Sequence, residues 1–213
     1  MANPILETPS TPSQMPPPLN AEHGPDECGS GPEIVHQQLA VAKTVLNQAI
    51  ALLDNHITSD EQLIVHSKHL PGSTIGKHLR HARDHFVLLA ECARTPPPHI
   101  LCYDTRLRNT PMETSVQAAR QSLTETIQQL EDVVPSVAFD EEVSLQAITP
   151  YMHTFKSTFG RELWFASLHC VHHWSMVRVI AGELGIELNK DFGFAPSTLV
   201  YQDRGAPLGK GKL

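Results

Sequence analysis

The sequence predicts an all-α protein, a four-helix bundle with long crossover connections, and three observations carry that expectation. Four long segments repeat apolar residues at steps of three and four, the spacing of one helix face. Each is bounded by Pro, Gly or a Ser/Thr capping residue. The connectors between them are too long for tight helical hairpins, which favours crossovers over a simple up-and-down arrangement.

Residues 1–31 form a leader rich in Pro, Ser and Thr, including Pro16-Pro17-Pro18, with too few bulky apolar residues to offset the entropy of ordering; it is expected to be disordered. The bundle is expected over residues 32–200 and a flexible tail over 201–213. The first long helix starts at Pro32, an N1-like position, and carries Ile34, Val35, Leu39, Ala42, Val45, Leu46, Ala49, Ile50 and Leu53 to a stop near Asn55. A connector through Pro71-Gly72 reaches Ser73 or Thr74 as N-cap of the second helix, which runs to Arg94 before Pro96-Pro97-Pro98.

After a loop over Cys102–Asn109, Thr110 caps Pro111 at the start of the third helix, whose stripe is Val116, Ala119, Leu123, Ile127 and Leu130. Pro135 closes it. The alternation in Val143–Ile148 suits a strand or an extended crossover better than a helix, leaving room for a short β-hairpin before the fourth helix. That helix runs from about Ser157 to Glu183, Gly185 stops it, and an extended Gly- and Pro-containing tail follows.

Composition narrows the function. The formal charge is −7 with no Lys/Arg-rich block, which argues against nucleic acid as a partner. No run of about 20 apolar residues and no signal-peptide pattern is present, so no membrane partner and a cytoplasmic location are expected. Cys28, Cys92, Cys102 and Cys170 show no CxxC spacing and indicate neither a disulfide framework nor a thiolate zinc site.

Histidine carries the chemistry. The chain has 13 in 213 residues, from which about 0.8 pairs spaced i,i+4 arise by chance, so one HxxxH is weak. Two such pairs occur, His169/His173 and His81/His85, one in each of two helical segments that can face each other. On the fourth helix His169 and His173 share a face with Phe165 or Ala166, Met176 and Ile180, an inward face. On the second, the line His78, His81, His85 borders the apolar stripe of Ile75, Leu79, Ala82, Phe86 and Leu89.

Buried imidazoles need hydrogen bonds, water or a metal, and spacing alone leaves a metal site and a hydrogen-bonded core pair as competing readings. Three histidines from two helices would leave a coordination position open, the layout of a catalytic metal site. Such nitrogen ligands do not discriminate among zinc, nickel, iron and cobalt. No HExxH, GxSxG, GxxxxGK[ST] or GxGxxG motif supports another enzymatic chemistry. His172 reads as a hydrogen-bonding neighbour of the site, and His23, His36, His56, His66, His69, His99 and His153 as ordinary surface or loop residues.

The segment Ile75-Gly76-Lys77-His78-Leu79-Arg80-His81 resembles the IGxHLxH entry to the second helix of the DinB/YfiT-like superfamily, and the HxxxH of the fourth helix resembles its other half. The likeness spans Pro32 to Val200, including Tyr103-Asp104-Thr105-Arg106 and Phe192–Thr198. It implies an up-down-down-up bundle holding a divalent metal on His81, His169 and His173. His78 would then line the open position or orient a ligand, and Asp104 and Arg106 would anchor an anionic substrate unless they form a plain surface ion pair. His85 stands near where relatives carry an acidic or aromatic residue.

The characterised members that this likeness brings in are metal-dependent thiol transferases using bacillithiol, a mycothiol-dependent maleylpyruvate isomerase and the iron-binding part of ergothioneine-forming enzymes. The expectation is therefore a metal-dependent enzyme, with zinc, nickel or iron, that activates a low-molecular-weight thiol or water for transfer or hydrolysis on an electrophile. The alternative is a non-catalytic, metal-stabilised bundle acting as a sensor or interaction module. Either can pair as a homodimer.

Overall fold

The structure, a computed structural model, describes residues 31–105 and 107–204. Most of the leader with Cys28 and His23, Arg106, and the tail from residue 205 lie outside the described residues.

The described chain is mostly helical with one small sheet. Four long helices, α1 (Gly31–Asn55), α3 (Ile75–Arg94), α4 (Val116–Val133) and α5 (Phe159–Glu183), supply the core; the short α2 (Glu61–Ile64) lies between α1 and α3, and the short α6 (Pro196–Tyr201) follows α5. Three of the long helices begin where a Ser or Thr can cap them. Thr74 accepts from the Lys77 amide, Ser115 from Ala118 and Thr158 from Arg161, each satisfying an otherwise unpaired first-turn N–H. Gly185, at φ +70°, ends α5 in the left-handed conformation expected of a residue just past a helix.

Helix α1 packs on α4 and α5, and α3 packs on the same two. Their shared core holds Leu46, Leu53, Leu79, Phe86, Leu123, Leu130 and Trp174, all essentially inaccessible. Burying side chains of this size stabilises by about 1.5–3 kcal/mol each before entropy is counted. Trp174 also donates its indole N–H to the Val45 carbonyl at 2.8 Å, which ties α5 to α1. Trp174 follows His173 directly, so this anchor fixes the rotation of α5 that aims His173 inward.

The expectation of an all-α protein is corrected by a three-stranded sheet. β1 (His99–Cys102) runs parallel to β2 (Glu142–Ile148), which pairs antiparallel with β3 (Met152–Thr158). The β2–β3 hairpin fills the room left for it before the last long helix, and its register places Leu101, Leu145 and Phe155 in one row. The four residues of β1 are too short to read as a strand without a partner in view, and their pairing is with a segment more than 40 positions away.

Two boundaries also differ. Thr110-Pro111 opens a 3₁₀ turn over Pro111–Glu113 instead of the third long helix, which starts only after Ser115. The turn is held because Glu113 points inward to Arg80, and its carbonyl oxygen lies against Gly76, where an added Cβ would come within 2.0 Å of it. The segment after α5 is not a loose extended tail. Arg178 donates to the carbonyls of Asn189 and Phe192, and Phe192 stacks on Trp174 with ring centroids 6.1 Å apart. Among the described residues no helix is long and apolar enough to cross a membrane.

Candidate metal centre

Five imidazoles meet where α3 lies against α5. The i, i+3, i+7 stepping of His78, His81 and His85 places them along one side of α3, and His169 and His173 stand one turn apart on α5. His81, His169 and His173 each offer a ring nitrogen, and these atoms all lie within 4.8 Å of one another. His173 is buried, while His81 and His169 are half-buried.

The internal geometry fits a shared ion. The Nε2 atoms of His169 and His173 are 3.3 Å apart. Two nitrogens bound tetrahedrally to one zinc at about 2.0–2.1 Å would lie roughly 3.3–3.4 Å from each other. The His81 ring sits 4.5 Å from that of His173 and 5.1 Å from that of His169, centroid to centroid. His78 approaches from the other side, its Nδ1 2.7 Å from Nδ1 of His173.

Two of the five imidazoles, His173 and His78, are held toward their neutral form. Burial, and then the neighbouring His169, His81, His78 and His172, hold the His173 pKa far below its ordinary value. Burial, and then His172, bring His78 down from 6.5 to about 4. Neutral imidazoles keep lone pairs available, which is the protonation state a metal ligand requires.

His85 stands outside the trio. Its Nδ1 is 3.1 Å from the His81 carbonyl, its ring packs 3.8 Å from that of His169, and on its other side it stacks on Tyr103 at 4.4 Å and 18°. Tyr103 donates its hydroxyl to the fully buried Glu162 at 3.1 Å, and burial followed by that carboxylate raises the phenol pKa. Glu162 also accepts from Ser157 and pairs with Arg161 at 2.8 Å, and the Arg161 guanidinium lies over the ring of Phe165, which stacks near His169. A rigid aromatic wall therefore backs the histidines on that side.

The residues singled out in the sequence divide accordingly. His78, His81, His85, His169 and His173 come together. His172 is exposed on α5, its ring 5.2 Å from that of His173. Asp104 is exposed, and its carboxylate accepts the Ile148 amide at 3.0 Å, tying the loop after β1 to the end of β2; Arg106 lies outside the described residues. His99 is corrected from a surface residue to a buried one. It begins β1, with Nδ1 3.0 Å from the Cys92 carbonyl and Nε2 3.5 Å from Glu141.

Tyr103 and Glu162 were missed as parts of the site. The signal available for Glu162 was a carboxylate immediately before the apolar run Leu163-Trp164-Phe165-Ala166, one turn before Ala166. Cys170, next to His169, is fully buried with its thiol pKa pushed up, so it is no thiolate ligand.

The chain is similar in sequence to known proteins. The FK506-binding protein 5 of Rhizopus delemar is 32% identical over 166 residues, which cover 76% of this chain and 37% of that protein. The chain thus spans little more than a third of the length of this curated relative. No solved structure matches the chain significantly. The sequence profile of the DinB superfamily matches residues 38–177, from within α1 to within α5 and across both histidine-bearing helices. By that match, the chain belongs to the DinB superfamily.

Proposed function

We propose that His81, His169 and His173 hold a divalent metal ion with at least one position open, and that the protein uses it to activate a low-molecular-weight thiol or water for transfer or hydrolysis. The observation that carries this reading is the convergence of three imidazoles from two helices, with ring nitrogens within 4.8 Å of one another. A bundle in up-down-down-up order, with α3 and α5 adjacent, belongs to the same proposal, as do a small thiol or electrophile as partner and zinc, nickel or iron as the ion. The cation would supply Lewis acidity, lowering the pKa of a thiol or water into the neutral range.

The remaining work falls to the protein. His173, buried and neutral, provides an inner nitrogen, and His81 and His169 provide the half-exposed ones that border solvent. Tyr103, fixed by Glu162 and stacked on His85, closes the aromatic side and restricts approach to the opposite one. Phe165 offers an apolar face beside His169 for the carbon portion of a substrate.

Metal analysis of the purified protein tests the reading. Stoichiometric divalent metal is expected in the parent chain, with loss in each of His81→Ala, His169→Ala and His173→Ala. Full retention in all three variants overturns the assignment. A screen of the metal-loaded protein with biological thiols and electrophiles separates the catalytic reading from a metal-braced bundle without activity.

A further inference from the structure

We infer that His78 is the positioning residue of this centre: its Nδ1 sets the tautomer of His173, and metal loading moves the ring proton of His78 from Nδ1 to Nε2. The inference rests on the metal reading above and concerns a residue outside the ligand trio.

The argument begins with a 2.7 Å contact between His78 Nδ1 and His173 Nδ1. At that distance one nitrogen carries the hydrogen and the other accepts it. In its neutral form each ring holds a single N–H, and then only two arrangements of the pair satisfy this contact.

In the first, His78 donates from Nδ1 to His173 Nδ1, and His173 carries its own hydrogen on Nε2, 3.3 Å from Nε2 of His169. In the second, His173 donates from Nδ1 to His78 Nδ1, and its Nε2 presents a lone pair toward His169 and His81. Only the second provides a ligand atom at His173 Nε2. It also forces the hydrogen of His78 onto Nε2.

His78 Nε2 is buried with no hydrogen-bond partner among the described residues. A buried N–H without an acceptor is less tolerable than a buried lone pair, so the ligand-free protein favours the first arrangement. An ion bound at His173 Nε2 selects the second. The proton lost at His173 Nε2 is matched by the one gained at His78 Nε2, and the pair keeps two protons and no charge throughout.

Outer partners of ligand histidines fix ring orientation, and their loss weakens metal binding about 10–100-fold. Here the outer partner is itself an imidazole, which makes the event visible. The test is two-bond ¹H–¹⁵N correlation of the full-length protein labelled at histidine, titrated with zinc. The expected result is exchange of His78 from the Nδ1–H to the Nε2–H tautomer, with His173 moving from Nε2–H to Nδ1–H.

Zinc affinity provides a second readout. His78→Leu is expected to weaken it about 10–100-fold, and His78→Asn, whose amide oxygen can accept the His173 N–H near the Nδ1 position, is expected to restore most of the loss. Binding of zinc by the parent chain with no change in the His78 tautomer overturns the inference and leaves the metal reading standing. So does unchanged affinity in His78→Leu. Failure of the parent chain to bind zinc, nickel or iron overturns both.

Discussion

Helix α3 carries two buried polar clusters on different sides, and they solve the problem of burial in opposite ways. On one side Arg80 reaches Asp84 at 3.2 Å and Glu113 at 3.1 Å, Arg83 lies 3.7 Å from Asp84, and Arg83 also donates to Thr126 at 3.0 Å. Opposite charges and hydrogen bonds satisfy one another there, and the cluster is complete. On the other side His78, His81 and His85 meet His169 and His173, like groups against like. The comparison teaches that a buried polar cluster need not be a set of ion pairs: one side of α3 is held by opposite charges, and the other brings like groups together, ring against ring.

The largest effect that would break this contrast is Arg80→Ala. It leaves Asp84 and Glu113 buried without their shared cation and is expected to lower unfolding stability by about 3–5 kcal/mol in equilibrium urea denaturation. Metal content per folded molecule should not change. A drop in metal stoichiometry alongside stability would show that the two sides of α3 are not independent.

Next in size is linkage to the ion. At a free metal concentration of 100 times the dissociation constant, the parent chain should gain about 2.7 kcal/mol of stability, whereas His81→Ala should gain none. Equal gains in both proteins would place the binding elsewhere.

A third effect comes from acidification of the metal-free protein, where the two clusters should respond with opposite sign. His78 has a folded pKa of about 4 against an ordinary 6.5, so the unfolded chain binds more protons between those values, and stability falls as pH falls through that window. Asp84 is raised above 3.8, first by burial, so its contribution grows as the pH drops through its folded pKa. Urea midpoints measured from pH 7.5 downward should decline, and the decline should be shallower in His78→Leu. A flat profile in the parent chain would mean that the imidazoles are not held neutral by the fold.

The smallest is Thr74→Ala, which removes the cap beneath both clusters. It should cost about 1 kcal/mol and leave metal affinity within a factor of two or so, as read by thermal unfolding and zinc titration.

The four long helices and the histidine-bearing faces were legible because their signals are local: apolar periodicity, Thr74 as a cap, and pairs of His one turn apart. The sheet was legible only in part. Val143–Ile148 shows alternation by itself, but β1 has meaning only against β2, and the sequence does not carry that pairing locally. The wall beside the site escaped for the same reason. Tyr103 and Glu162 are 59 positions apart, and neither is unusual until the fold brings the phenol to the carboxylate. Asp104 shows another non-local partner: the sequence displays an acidic residue near a basic one, and only the fold brings the Ile148 amide to its carboxylate.

Trp174 gives the centre an optical consequence. The chain has two tryptophans; Trp164 is 46% exposed, and Trp174, bonded in sequence to His173, is fully buried. Its emission should therefore appear at short wavelength, apart from the solvent-shifted light of Trp164. Cobalt, nickel or ferrous iron entering the histidine cluster would be expected to quench the tryptophan emission, and zinc, with its filled d shell, to leave it bright. The packing anchor that orients α5 thus doubles as a lamp placed beside the site, able to distinguish one class of ion from another without a label.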